Sequence, residues 1–175
     1  VGVGGIGTHV VQQLAYLGVG RGDRGWIGLV EYEDIDETNR NRYIGAWNDD
    51  PIPGSAKVAL AVRHIKLIDP AIQIRHSNDK ELRSAEAYEL ARASDVAIGC
   101  LDTDGARMVF NELCLAYDIP FIALATDIKS GPDAVYGGRF FSRWHGERGC
   151  LVCAGEINMA QATQELASAK AREDR

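Results

Sequence analysis

Long apolar runs are missing from this sequence of 175 residues. Crossing a bilayer as a helix takes about 20 consecutive apolar residues, and no stretch approaches that length, which excludes a helical membrane span. Blocks of like charge, internal repeats and low-complexity segments are also absent. With 46% of the residues hydrophobic, the chain is not disordered over most of its length. Cysteine is scarce: four residues are too few to build a domain stapled by disulfides. No signal peptide is visible, so the sequence reads as that of a protein of the reducing cytoplasm. An excess of positive charge is lacking too. The 19 Lys+Arg stand against 25 Asp+Glu, a formal charge of −6, which argues against general nucleic-acid binding and leaves room only for a local basic site.

What is present suffices for one domain, residues 1–175, with a sizeable buried core. Both ends read as cut. Val1 stands at the mouth of a glycine-rich turn, where a preceding buried strand is expected, and Glu165 to Arg175 is a helix-forming tail. Val10, Val11, Leu14 and Leu17 recur at helical spacing after that turn, and Gly18 is placed to end the helix. Trp26 to Val30 predicts a short buried strand ending at Glu31. Glu33 to Pro53 is too rich in Asn, Asp and Pro for a regular element. A helix follows from Lys57 to about Ile68, then a strand over Ala71–His76 and a helix over Glu81–Ala93. Asp95–Cys100 reads as a buried strand, Ala106–Tyr117 as a helix and Phe121–Ala125 as another buried strand. From about Asp127 to residue 175 the texture changes to glycines, scattered aromatics, a Cys-x-x-Cys pair and the helical tail. Strands alternating with helices predict an α/β fold, a doubly wound, mostly parallel Rossmann-like sheet with helices on both faces.

The glycines of the opening turn, Gly2, Gly4, Gly5 and Gly7, follow the spacing GxGGxG. Such a turn lets backbone N–H groups approach a phosphate at a helix N-terminus, and Glu31 at the end of the next strand is placed to hold ribose hydroxyls. The same glycines also permit close strand–helix packing, so the turn alone does not identify a nucleotide. The residues further on separate the chemistries. The segment from Glu31 to Arg42 places carboxylates, two asparagines and two arginines directly after the strand, Lys57 opens the next helix, and Asp102 ends a later strand. On a parallel sheet the strand C-termini share one crevice. Cations there neutralise a triphosphate, and a carboxylate such as Asp102 suits Mg²⁺. A hydride-transferring dehydrogenase needs no such metal, so the constellation favours ATP over a nicotinamide.

These residues resemble the ThiF/MoeB/HesA and ubiquitin-activating superfamily. That pattern runs GxGGxG, an acidic pair with one residue between, Ser/Thr-Asn-Leu-x-Arg, Gly-x-x-Lys and Asp-x-x-Asp. Here the sequence offers Gly2 to Gly7, Glu31 with Glu33, Thr38-Asn39-Arg40-Asn41-Arg42, Gly54-Ser55-Ala56-Lys57 and, with Gly in place of the first aspartate, Gly99-Cys100-Leu101-Asp102, with Arg107 and Asn111 on the following helix. The resemblance implies that Glu31 holds the ribose, that Glu33 belongs with it to the nucleotide site, and that Asn39, Arg42 and Lys57 contact the phosphates. It implies further that Asp102, with Thr103 beside it, binds Mg²⁺ and positions the reacting groups. Arg42, Lys57 and Asp102 are then the catalytic residues. The implied reaction is ATP-dependent adenylylation of the C-terminal carboxylate, usually Gly-Gly, of a ubiquitin-like or sulfur-carrier protein, by an enzyme that works as a homodimer. The sequence departs from the pattern in carrying Glu at both acidic positions, Arg40 for the usual leucine and Tyr43 for the usual glutamine. Asn39 to Ala46 and Cys150 to Gly155 look more like the bacterial stand-alone ThiF-type proteins.

Cys150 and Cys153 have the spacing of a zinc half-site, and also suit a thioester-forming or redox pair or two plain loop thiols. Cys100 and Cys114 read as small core residues. Three rival functions stand beside adenylylation: an ATP-dependent tRNA-modifying dehydratase of the same superfamily, an inactive scaffold subunit, and a nicotinamide oxidoreductase.

Overall fold

The structure is a computed structural model and describes residues 1–50, 52, 54–77, 82–129 and 135–173. The ends assigned from sequence at Pro53, Glu81 and Arg175 therefore lie outside the described residues. The chain forms two compact units, Val1–Ala93 and Ser94–Arg175.

The first unit is built on a parallel strand pair. Helix α1 (Gly5–Tyr16) leads to strand β1 (Ile27–Val30), and a 3₁₀ turn (Arg40–Arg42) precedes helix α2 (Lys57–Ile68). Strand β2 (Ile74–Ser77) and helix α3 (Ala85–Arg92) complete it. β1 runs parallel to β2, with Ile27 opposite Ile74 and Val30 opposite Ser77. The helical spacing of Val58, Ala61 and Ile65 puts these side chains on one stripe of α2. They bury against Val3, Val11 and Ala15 of the α1 segment and Ile27, Leu29 and Ile72 of the strand layer. α1 ends where the sequence places its stop: Gly18 takes φ +73°, a left-handed conformation that costs glycine nothing. One position of the predicted apolar stripe does not hold. Leu17 is the C-cap of α1 and lies 78% exposed, because the buried stripe closes two residues earlier, on Ala15. Helix α3 begins at Ala85, where the Ser84 hydroxyl caps the amide of Ala87.

The second unit holds strand β3 (Ala97–Gly99), helix α4 (Asp104–Ala116), strands β4 (Phe121–Lys129) and β5 (Val135–Arg143), and helix α5 (Met159–Glu173). β3 pairs with β4 in parallel, Ala97 opposite Phe121, as the sequence predicts. β4 continues past the predicted end at Ala125 and pairs antiparallel with β5 from Phe121↔Arg143 to Lys129↔Val135. Sequence reading leaves this second strand unassigned, since Gly137 and Gly138 interrupt its β-propensity. The pairing is instead supported by long-range aromatic contacts. Phe121 stacks on Phe141 at 5.7 Å and meets Phe110 of α4 edge-on at 5.5 Å. Gly99 makes room for that ring, because a Cβ there would stand 2.8 Å from Phe110 Cε1. α5 starts six residues earlier than the predicted tail, at Met159, and Glu165 Oε2 accepts the backbone N–H of Gly105 on α4 (2.6 Å).

Among the described residues no helix is long and apolar enough to cross a membrane. The fold is mixed α/β, with parallel strand pairs joined through helices and an antiparallel hairpin appended to the second sheet. Phe110 joins α4 to β3 and β4 and is 1% exposed, so Phe110→Ala is expected to destabilise the protein by about 3–5 kcal/mol in denaturant unfolding.

Candidate functional site

The turn before α1 is held open from behind. Gly2 N–H donates to the carbonyl of Val30 (3.0 Å), tying the turn to the end of β1. Glu31 reinforces this by accepting three backbone N–H groups, Val3 on Oε2 (3.0 Å) and Tyr32 and Glu33 on Oε1 (2.9 and 3.1 Å). Helix α1 then begins at Gly5 with Gly4 as N-cap, which has no side chain to satisfy the first-turn amides. An uncapped helix start of this kind presents free N–H groups and the positive end of the helix dipole. A Cβ on Gly4 would meet nothing within 4 Å, so the space in front of the turn is open.

Arg42 lies at this opening. A Cβ on Gly5 would sit 3.4 Å from Arg42 Cδ, which puts the arginine stem over the first residue of α1. Its placement follows from a local turn: Asp36 Oδ1 accepts the Thr38 hydroxyl (2.5 Å) and the Asn39 N–H (3.1 Å) and so starts the 3₁₀ turn. The Thr38 hydroxyl bond is the main reason that the Asp36 carboxyl lies below its ordinary range. Arg42 Nη1 donates to the Thr38 carbonyl and to Asn41 Oδ1. The Asn39 side-chain oxygen is buried with no partner among the described residues. A buried polar atom left so is costly and marks a place where a ligand can complete the hydrogen bonding.

Lys57, the first residue of α2, is 6% exposed. Its Nζ donates to Glu33 Oε2 (2.5 Å) while its backbone N–H donates to the Glu33 carbonyl (3.0 Å). The acidic pair of the sequence thus divides its work: Glu31 braces the glycine turn and Glu33 holds Lys57. Tyr43, absent from the residues chosen from sequence, adds a third contact by donating its hydroxyl to the Lys57 carbonyl (2.6 Å). Burial, with a smaller contribution from Glu31, pushes the Tyr43 hydroxyl well above its ordinary pKa. The only sequence signal for it was its departure from the family pattern. The following loop is anchored to α2 by Arg63, which binds Asp50 through both Nη atoms (2.6 Å each) and lies 4.0 Å over the Trp47 ring. Those bonds hold the Asp50 carboxyl at about 2.

The remaining chosen residues belong to the second unit. Asp102 is exposed in the loop between β3 and α4, and its carboxylate has no partner among the described residues. Thr103 is the N-cap of α4, its hydroxyl accepting from Ala106 N–H (3.3 Å). Arg107 Nε fixes the same loop by donating to the Leu101 carbonyl (2.9 Å). Asn111, buried on α4, accepts the N–H of Leu151 (2.9 Å) and so docks the Cys-x-x-Cys turn on the helix. Cys150 and Cys153 place their sulfurs 3.5 Å apart. Burial raises the Cys150 thiol, but hydrogen bonds from the Cys153 and Val152 N–H groups and from the Cys153 thiol outweigh it and lower the pKa. Cys153 moves up, chiefly through its hydrogen bond to Cys150. No group of three His, Cys, Asp or Glu suited to a metal occurs among the described residues. Cys114 is fully buried and its thiol is pushed up to about 12 by burial, as a core residue should be.

Comparison with known proteins fits this arrangement. The chain is 29% identical over 137 residues to the adenylyltransferase and sulfurtransferase MOCS3 of Sus scrofa, covering 78% of this chain and 28% of that protein. It is 27% identical over 154 residues to the sulfur carrier protein adenylyltransferase of Thermus thermophilus, covering 87% and 53%. Against the ubiquitin-like modifier-activating enzyme 5 of Drosophila ananassae it is 27% identical over 176 residues, covering 94% and 41%. The chain therefore spans between about a quarter and a half of the length of these curated relatives. Among solved structures, E. coli MccB with AMPCPP and selenomethionine MccA superposes with a TM-score of 0.66 at 23% identity, over 97% of this chain and 46% of that one, a likeness of fold. The ThiF family pattern matches residues 1–172. By that match, which takes in the glycine turn and nearly all of the chain after it, this protein belongs to the ThiF family.

Proposed function

We propose that this chain is the nucleotide-binding adenylylation domain, residues 1–175, of an ATP-dependent enzyme that activates a protein C-terminus. The observation that carries the reading is the position of Arg42 over Gly5, at an uncapped helix start with open space before it. A triphosphate meets there the free amides of α1 and the guanidinium of Arg42, with Lys57 as a further cation. Glu31, braced against Val3, is the carboxylate nearest the turn for a ribose hydroxyl.

In the proposed reaction a C-terminal carboxylate oxygen of the carrier attacks the α-phosphorus. The bond from that phosphorus to the bridging oxygen breaks, pyrophosphate leaves with the electron pair, and an acyl-adenylate remains. The protein contributes positioning of the two reactants and neutralisation of the charge that develops on the leaving pyrophosphate. Arg42 and Lys57 supply the second effect. Asp102 fits Mg²⁺: a free, exposed carboxylate is the kind of ligand that ion takes alongside phosphate oxygens and water. When bound, Mg²⁺ would supply charge neutralisation. The substrate we assign is a ubiquitin-like or sulfur-carrier protein ending in Gly-Gly, and the working assembly a homodimer. Support comes from the relatives, whose names include a sulfur carrier protein adenylyltransferase and a ubiquitin-like modifier-activating enzyme.

The cysteine pair fits half of a zinc site. With Zn–S bonds of about 2.3 Å, two thiolates on a tetrahedral ion stand about 3.8 Å apart, close to the 3.5 Å found here. The other two ligands do not occur among the described residues.

The test is ATP–pyrophosphate exchange with Mg²⁺ and candidate carrier proteins. Arg42→Ala is expected to lower the exchange rate by about 10²-fold, the usual effect of removing one group that stabilises developing charge, and Asp102→Ala to abolish exchange. Clear ATP binding without exchange for any carrier would turn the reading toward RNA modification or a scaffold role. For the cysteines, metal analysis of the purified full-length protein is expected to find zinc that Cys150→Ser releases. Zinc content unchanged in that variant would remove the pair from the metal site.

A further inference from the structure

The sequence pattern places Glu33 at the nucleotide, but its side chain is engaged elsewhere. We propose that Glu33 and Tyr43 are positioning residues that clamp Lys57 for contact with phosphate, an inference that rests on the nucleotide reading given above.

A lysine ammonium taken out of water must be paired, since the desolvation cost of an isolated buried charge exceeds what folding tolerates. Lys57 is 6% exposed, and Glu33 Oε2 supplies the pairing at 2.5 Å. An ammonium has three donors. Glu33 occupies one, which leaves two for phosphate oxygens without any need to break the pair. The two members differ in exposure: the Glu33 side chain is 52% accessible while that of Lys57 is 8% accessible. Lys57 is thus the enclosed member of the pair and Glu33 the one open to water.

The register that brings the two together is set by the backbone. The segment around Asp34 runs antiparallel to Ala56, with Ile35 N–H donating to Ser55 (2.9 Å) and Lys57 N–H to Glu33 (3.0 Å). Glu33 thus meets Lys57 through its main chain and its carboxylate together. Tyr43 closes the clamp from another direction. Its ring is buried with Ile35 and Leu60, which fixes the rotamer, and its hydroxyl donates to the Lys57 carbonyl at 2.6 Å. That bond pins the backbone from which the lysine side chain starts, at the first turn of α2, where capping side chains are lacking. Because Tyr43 stands where the family usually has glutamine, this part of the clamp belongs to the present chain.

A clamp and a direct nucleotide contact differ in how their effects combine. A residue that acts only through Lys57 has nothing left to position once that side chain is gone, whereas an independent contact adds its own loss. The experiment is calorimetric titration of Mg·ATP into the full chain and its Lys57→Ala, Glu33→Gln, Tyr43→Phe and Lys57→Ala/Glu33→Gln variants, with unfolding midpoints as a check on folding. Lys57→Ala and Glu33→Gln are each expected to weaken binding about tenfold, the scale of one lost hydrogen bond to a charged group, and the double variant no further than Lys57→Ala. Tyr43→Phe is expected to weaken it by a smaller factor.

Binding by Glu33→Gln equal to wild type overturns the clamp. So does a double variant weaker than either single one by the product of their effects, which would make Glu33 a direct nucleotide ligand. If Glu33→Gln fails to fold, Tyr43→Phe decides, and unchanged binding there overturns the proposal. A folded wild-type protein that binds no ATP defeats the nucleotide reading itself, and the clamp falls with it. Wild-type binding and exchange alongside an unaffected Glu33→Gln defeat the clamp alone.

Discussion

The Glu31 carboxylate is the constraint on which the glycine turn depends. It gathers the amides of Val3, Tyr32 and Glu33 at the point where β1 ends. A turn made of glycines is entropically expensive to hold in one shape, and without side chains it cannot brace itself. Glu31 provides that brace from the strand, and the bond from Gly2 to Val30 adds a second tie. The first-turn amides of α1 are left uncommitted as a result, and these are the groups that a phosphate needs.

Around this turn the cations are placed by separate local devices. Arg42 depends on the Asp36 turn, which starts the 3₁₀ segment and directs the arginine stem over Gly5. Lys57 depends on the antiparallel bridge at Asp34 and Ala56 and on the carboxylate of Glu33. The loop between them is held to α2 through Arg63, Asp50 and Trp47. A polar, irregular stretch of sequence is in this way ordered by charge-assisted bonds rather than by a ladder. Such bonds are stronger than neutral ones and more selective in geometry.

Much of the site was legible because its chemistry is local. GxGGxG followed by a helix, an acidic residue at a strand end and a lysine at a helix start can each be read within a few residues. The family pattern orders them; of the residues it names, Glu31 and Arg42 lie at the turn, while Glu33 and Lys57 pair with each other. What remained hidden depends on contacts between residues distant in the sequence. The engagement of Glu33 with Lys57 spans 24 positions and that of Tyr43 with the Lys57 carbonyl spans 14. The cap that Thr103 supplies to α4, its hydroxyl accepting the Ala106 N–H three residues on, is by contrast a local contact of the kind a short segment shows.

Short stretches of residues carry the α/β class, the order of most elements, the stop of α1 at Gly18 and the membership of the turn, Asn39, Arg42, Lys57 and Asp102 in one recognisable pattern. They can do so because hydrophobic period, glycine conformation and motif spacing are properties of short segments. The tertiary structure alone decided that β4 runs on into an antiparallel partner, since β5 is stabilised by Phe141 stacking on Phe121 across the ladder and not by its own glycine-bearing sequence. It also decided the different duties of Glu31 and Glu33. Two carboxylates one residue apart are chemically alike, and only the amides and the ammonium that the fold sets before each of them make one a brace and the other a counter-ion.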